Sequence, residues 1–299
     1  MRPTEVEIVS DPSENLGNLA ERPPEQVSPP EDHDPGGGSS NIARVRSRPS
    51  HKTWGSIAIA AIPFFLVLLF WHLSSADSGP RSIFLPSPGA VIRAFGELFS
   101  SQAFIVDIGA SVYRVTAGFM LAAIVAVPLG LLAGSVKFID RLVQPINDFT
   151  RYLPVPAFIP LLILWVGIGD AQKILVIFIG TVFQVIPLVA DTAANVPSNL
   201  IDLGYTSGAS RRQILTKVVL PWCAPTIYDH LRVALGWAWG YLVIAELVAA
   251  TSGIGHVIIQ AQRFIQTPRV MAGILTIGLI GLFFDLCFKL PKRKIFPWL

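Results

Sequence analysis

The chain is short of charge. Of its 299 residues only 14% are charged while 52% are hydrophobic, and the mean hydropathy is +0.56. Soluble domains carry roughly a quarter charged residues, so this depletion excludes a water-soluble core and points to a polytopic membrane protein. A net charge of +3 is too small to suggest nucleic acid as a partner. No HExxH occurs and the five histidines are scattered, which argues against a metal site. GxSxG is missing as well; the stretch GYTSG at 204–208 has the wrong spacing for a nucleophile elbow. No catalytic residue is assigned. There is no GxxxxGK[ST] loop to cradle phosphates, so the chain cannot bind ATP by that route and carries no cofactor of its own. Cysteine is scarce. Cys223 and Cys287 sit in or beside apolar runs, lack metal-ligand spacing, and read as buried apolar side chains.

What is present divides at residue 52. Residues 1–52 lack aromatics, are rich in Pro, Glu, Asp, Gly and Ser, and turn basic at Arg44, Arg46, Arg48 and Lys52. Such a segment buries too little apolar surface to offset chain entropy and reads as a disordered tail. It has no apolar core near its start, unlike a signal peptide. Residues 53–299 read as an all-α bundle of six membrane spans: 54–73, 108–132, 142–166, 174–194, 227–249 and 271–288. Each matches the ~20 residues that cross a ~30 Å hydrocarbon layer. The third is broken by Pro154, Pro156 and Pro160, which lipid tolerates only inside a bundle or beside water. Between the first two spans, FLPSPGAVIRAFGELF reads as turn residues followed by a short amphipathic helix at the membrane surface.

Basic residues cluster before span one, at Lys137 and Arg141, at Arg211, Arg212 and Lys217, and at Lys289, Lys292, Arg293 and Lys294. Positive loops stay inside, so both termini and the loop 196–221 are expected in the cytoplasm. Trp54, Trp71 and Trp298 suit interfacial anchoring. The loop is patterned. Pro197-Ser198-Asn199 is a helix-start signal, Leu200, Ile201 and Leu203 give an apolar face, and Asp202 favours the helix N-terminus. Gly204 and Gly208 read as breaks. Ser210 with Gln213 reads as a capping box, and Ile214, Leu215, Val218 and Val219 follow at helical spacing. Pro221 and Pro225 mark re-entry into the membrane. Two short helices at a bend result, with apolar side chains that need a surface such as a partner protein offers.

This loop resembles the EAA loop of the permease subunits of binding-protein-dependent ABC importers: EAA, three residues, Gly, nine residues, Ile, one residue, Leu-Pro. Here Gly208 precedes nine residues and then Val218, Val219, Leu220 and Pro221, while Asp202-Leu203-Gly204 stands at the triplet and keeps only its acidic character. FLPSP at 84–88, WVGIG at 165–169, LRVALGWAW at 231–239, AEL at 245–247 and the closing KIFPW resemble the nitrate/sulfonate/taurine/bicarbonate branch, over 83–298. The resemblance implies a type I importer-like permease, paired with a second permease subunit, as a homodimer, in the cell inner membrane. It implies ABC ATPase subunits that hold the ATP and Mg and receive the loop through Asp202, Leu203, Gly204, Gly208, Ala209, Ser210, Arg211, Ile214, Leu220 and Pro221. It also implies an extracytoplasmic substrate-binding protein that delivers a small solute.

Charges within spans are costly and mark packing pairs or pathways. Arg114 and Glu246 fall at similar depth and form a plausible pair; replacing either alone should harm assembly more than swapping both. Arg232 lies about 17 Å along its helix past Pro221 and suits either a contact with an anionic solute or packing. Arg151 is a further pathway or packing candidate, and Trp237 suits either a cavity wall or the core. Asp191 and Asp285, near the cytoplasmic ends, need no special role. The GxxxG spacings Gly130/Gly134 and Gly236/Gly240 allow close helix approach, between subunits or within one. A self-sufficient secondary transporter or channel is the competing reading, and would leave the ordered loop without a task.

Overall fold

The computed structural model describes residues 54–75 and 83–298. The expectation of a disordered tail at 1–52 falls outside these residues. Among the described residues every regular element is a helix. Helix α1 (Trp54–Ser74) is apolar on all sides, with Phe64, Phe65, Phe70 and Leu73 exposed, as suits a helix surrounded by lipid. Its Trp71 packs by Val91, Ala94 and Ala272 and donates from Nε1 to the Pro86 carbonyl at 3.0 Å. The amphipathic segment forms α2 (Pro88–Ser100), which Ser87 caps by accepting from the Ala90 N–H, with Pro88 in the first turn.

Helices α3 (Gln102–Ser135) and α6 (Asp170–Ala194) make the centre of the bundle. Their approach depends on missing side chains. A Cβ on Gly130 would lie 2.6 Å from the Val189 Cβ, and one on Gly134 only 2.1 Å from the Ala190 carbonyl oxygen. Close packing of this kind holds helices together where the solvent is itself apolar. The first GxxxG pair therefore serves contact within the chain. Val115, Phe119 and Ala122 of α3 and Ile177, Val185 and Val189 of α6 form one core with Ala234, Ala238 and Leu242 from further along the chain.

Three departures from the sequence reading stand out. The stretch 142–166 is not one straight helix: α4 (Lys137–Thr150) and the segment Val155–Val166, a 3-10 turn leading into α5 (Ile159–Val166), meet at 88°. Pro154 is extended at the bend, with ψ 110°, while Pro156 and Pro160 stand in the first turns of the 3-10 segment and of α5, where a missing N–H costs little. Second, no break occurs at Pro221. The short helix α8 (Arg211–Ile214) passes through a π turn (Leu215–Val219) into α9 (Leu220–Ala249). The widened turn lets the Leu220 N–H reach the Leu215 carbonyl. Pro221 then falls in the first turn of α9, where its missing donor costs little. Third, Cys287 is exposed, on a bundle face turned outward, although Cys223 is buried.

Beyond α9 come α10 (Ile254–Arg263), α11 (Thr267–Lys289) and the short α12 (Lys292–Ile295). Among the described residues four helices are long and apolar enough to cross a membrane, or five if the bent α4–α5 pair counts as one. The part of α1 at Ala61–Ser74 is a shorter apolar helix. Helices α3 and α6 run side by side in the same direction, with Gly118 against Ile177 and Gly130 against Val189; α9 runs the opposite way, setting Tyr241 by Gln184 and His230 by Thr192, and α11 turns back again, setting Asp285 by Arg232. One end of the bundle, the loop end, therefore carries 196–221, and the far end carries the turns before α6 and after α9.

Candidate functional site

The loop end is built by local rules. Helix α7 (Ser198–Thr206) ends where Gly208 takes φ +78°, a left-handed conformation that glycine adopts without penalty. The Gly208 N–H bonds the Tyr205 carbonyl and the Ala209 N–H the Gly204 carbonyl, which together make a Schellman motif. The chain restarts at once. Ser210 Oγ accepts from the Gln213 N–H at 3.4 Å, and Gln213 Oε1 accepts from the Ser210 N–H at 2.8 Å, a complete capping box. Gly204 does not break the chain. It lies within α7, and a Cβ there would stand 3.3 Å from Ile214 Cγ1, so it sets how closely α7 rests on α8.

Packing divides the loop in two. Ile214 and Val219 are buried in the chain's own core, with Ile201, Ala209, Leu215 and Val218 packed against it. These side chains need no partner, contrary to the sequence expectation. What projects is Asp202, Leu203, Tyr205, Ser210, Arg211, Arg212 and Lys217, with Leu203 64% and Tyr205 50% exposed. Leu220 and Pro221 are exposed where the loop enters α9. The result is a stiff elbow with a basic rim and an apolar tip.

At the far end the structure brings Arg114 and Glu246 together, Nη1 to Oε1 at 2.6 Å, with both side chains buried. Arg114 also donates to Asp170 Oδ1, to the Ser252 carbonyl and to Ser252 Oγ. Glu246 further accepts from Ser111 Oγ and from the Gly255 N–H. Ser111 Oγ accepts in turn from the Ile254 N–H, and Asp107 from the Gly253 N–H. Lys173, also buried, donates to the Gly169 carbonyl at 3.0 Å. Buried charges persist only when paired and hydrogen-bonded, and here α3, the start of α6, the end of α9 and the turn before α10 share that duty. Among the described residues no group of three His, Cys, Asp or Glu side chains is placed to hold a metal ion.

The family described as "Binding-protein-dependent transport system inner membrane component" matches residues 126–296. The chain belongs to this family. It is 31% identical to the putative aliphatic sulfonates transport permease of Bacillus subtilis, over 87% of this chain and 94% of that protein. It is 32% identical to the taurine transport system permease of Escherichia coli, over 78% and 86%. Solved structures share the fold. A methionine ABC transporter in an inward-facing conformation matches with a TM-score of 0.58 at 19% identity, over 64% of this chain and 96% of that one. A bacterial alginate ABC transporter in complex with its substrate-bound periplasmic protein matches at 0.56 and 17%, over 81% and 97%. The protein is thus a multi-pass membrane permease subunit of an ABC importer.

Other charges of the permease are placed differently from the sequence expectation. Arg232 is engaged by Asp285 through two bonds, Nε–Oδ1 at 2.5 Å and Nη2–Oδ2 at 2.8 Å. Asp285 therefore has a role that its position alone did not suggest. The pair sits at one end of a groove of ~330 Å³ lined by Gly236, Trp239, Gly240, Gly278 and Gly281; the second GxxxG pair thus borders open space. Trp237 packs against the core. Arg151 is exposed beyond α4, stacked on Tyr152 at 5.0 Å and 3.4 Å from Asp148. It lines a cavity of ~680 Å³ with Lys137, Asp140, Asn147 and Asp191, between α3, α4 and α6. Helix α4 turns these polar side chains inward and exposes Phe138, Leu142, Ile146 and Phe149. Sequence reasoning missed this cavity, although the polar spacing 137, 140, 144, 147, 148, 151 was its signal. It also missed Lys173, and Asp107, Ser111, Asp170 and Ser252, whose partners lie far away in sequence.

Proposed function

We infer that this permease subunit forms half of the translocation pathway for a small oxyanionic solute and is driven by separate ATPase subunits that grip the loop 196–221. The solute class follows the printed names of its relatives, a sulfonate and a taurine permease; nitrate and bicarbonate belong to the same range. The single observation that carries the coupling role is the elbow itself. A loop closed by a Schellman motif, reopened by a capping box and joined to α9 without interruption is built to transmit force. The chain has no phosphate-binding loop, so ATP and Mg belong to the partner.

The basic residues of the loop end support a cytoplasmic loop, and in this reading both termini lie there too, the crossings number six counting α1 and the bent pair, and the far end faces the binding protein. Two copies of this subunit enclose the pathway, and alternating access arises as the loops draw together and the bundles rock. Asp202, Leu203, Gly204, Gly208, Ala209, Ser210, Arg211, Ile214, Leu220 and Pro221 make up the coupling segment, its buried members by holding the exposed ones in place. The test is uptake into vesicles by the complete complex, with taurine, an alkanesulfonate, nitrate and bicarbonate offered through the binding protein. Uptake of one of them that requires both ATP and the binding protein supports the reading. Uphill uptake by this chain alone would identify a secondary transporter instead, and labelling of a cysteine at Thr216 from outside the cell would overturn the orientation.

A further inference from the structure

Helix α10 begins on side chains that belong to other helices. Its first N–H groups point at Asp107 (2.7 Å from Gly253 N), Ser111 (2.9 Å from Ile254 N) and Glu246 (2.8 Å from Gly255 N). A carboxylate at a helix N-terminus satisfies free donors and opposes the helix dipole. There is no slack in the joint. A Cβ on Gly253, where φ is +109°, would lie 2.3 Å from Glu246 Oε1, and one on Gly255 2.6 Å from the Glu246 Cβ. Arg114 closes it from the other side through the Ser252 carbonyl and hydroxyl.

Glu246 stands on the helix that starts at the cytoplasmic elbow. From Leu220 to Glu246 that helix runs unbroken, about 39 Å at 1.5 Å per residue. At its other end α10 presents Phe264 and Ile265, 75% and 67% exposed. Ile265 has φ +56°, which a β-branched residue holds only where its surroundings enforce it. Among the described far-end turns, the one joining α9 to α10 is bonded to α9 through a buried charge.

We propose that Glu246 is a positioning residue: it locks α10 to α9, so that the exposed tip Phe264–Ile265 at the far end moves with the helix the ATPase drives. This rests on the importer reading and its orientation. The experiment uses the complete complex in lipid nanodiscs, in a Cys287→Ser background. One spin label is placed at Thr226→Cys on α9 and, in a separate sample, one at Phe264→Cys on the tip. The spectral change on adding ATP with vanadate is read at each. In the otherwise unaltered complex both labels respond. With Glu246→Met, which cannot accept from the Gly255 N–H, the response at 226 stays within twofold, while that at 264 falls at least fivefold. Gly253→Ala, which changes no charge but collides with Glu246, gives the same split and serves if the first variant fails to insert. Equal responses at both positions in either variant overturn the proposal and leave the importer reading standing. No response at 226 in the unaltered complex removes both.

Discussion

Removing the guanidinium of Arg114 gives the sharpest test of the far-end clasp. Arg114→Met keeps much of the apolar stem but deletes the donors that reach Glu246, Asp170 and both oxygens of Ser252. Glu246 is left buried, still accepting from Ser111 and the Gly255 N–H but with no counter-charge on its own carboxylate. Stripping one partner from a buried pair costs about 3–5 kcal/mol. Adding Glu246→Gln removes the stranded charge while its amide oxygen still accepts from the Gly255 N–H, so the double variant should regain about 2 kcal/mol. A coupling of that size marks direct contact in a double-mutant cycle. The assay is reversible unfolding in mixed micelles, followed by tryptophan fluorescence, for the four proteins of the cycle. Additivity within about 0.5 kcal/mol refutes the reasoning. The structure also revises the charge swap. An arginine at 246 cannot accept from the Gly255 N–H or Ser111, so exchanging the two charges should be as damaging as either single change, contrary to the expectation from depth alone.

Gly208→Asp forces a side chain into φ +78°, a strain of about 1–2 kcal/mol, and places an acid on the basic rim. Membrane insertion stays normal while ATP-coupled uptake falls at least tenfold, measured against immunoblotted protein in the same vesicles; full uptake would count against docking. Gly134→Val collides with the Ala190 carbonyl oxygen and separates α3 from α6, so the yield of monodisperse protein in detergent collapses, whereas Gly236→Ala, in open space, leaves it unchanged. Arg232→Ala breaks a pair that is about one-third exposed, and solvent screening holds the stability loss to about 1 kcal/mol. A fall in uptake without a matching fall in stability would assign Arg232 to the pathway after all.

Much of the bundle was legible because a spanning helix obeys one length and one composition. The elbow was legible too: Gly208, Ser210 and Gln213 act through bonds no more than five residues long, so their spacing states their geometry. The Arg114–Glu246 contact could be read from depth, since two opposite charges in lipid at one level have few other partners. The rest of the clasp could not, because Asp170, Ser111 and Asp107 find their partners 56 to 146 residues away. Three prolines announced a weak point in 142–166 but not a bend of 88°. The π turn was hidden for a different reason: helix continuity past Pro221 depends on how neighbouring carbonyls rearrange, which no local pattern encodes.

Helix α4 is inside out by the standards of a water-soluble protein, greasy toward its surroundings and ionic toward its own subunit. Inside the subunit Val143 packs on the apolar core, and the remaining apolar face of α4 is left to the oil beyond it. Its stance is therefore a property of the bilayer as much as of the chain, and the polar cavity behind it reaches Arg151, at the edge of the bend. Thinning the membrane with short-tailed lipids should tip α4 before any other helix, so the lipid itself becomes a dial on the passage it encloses.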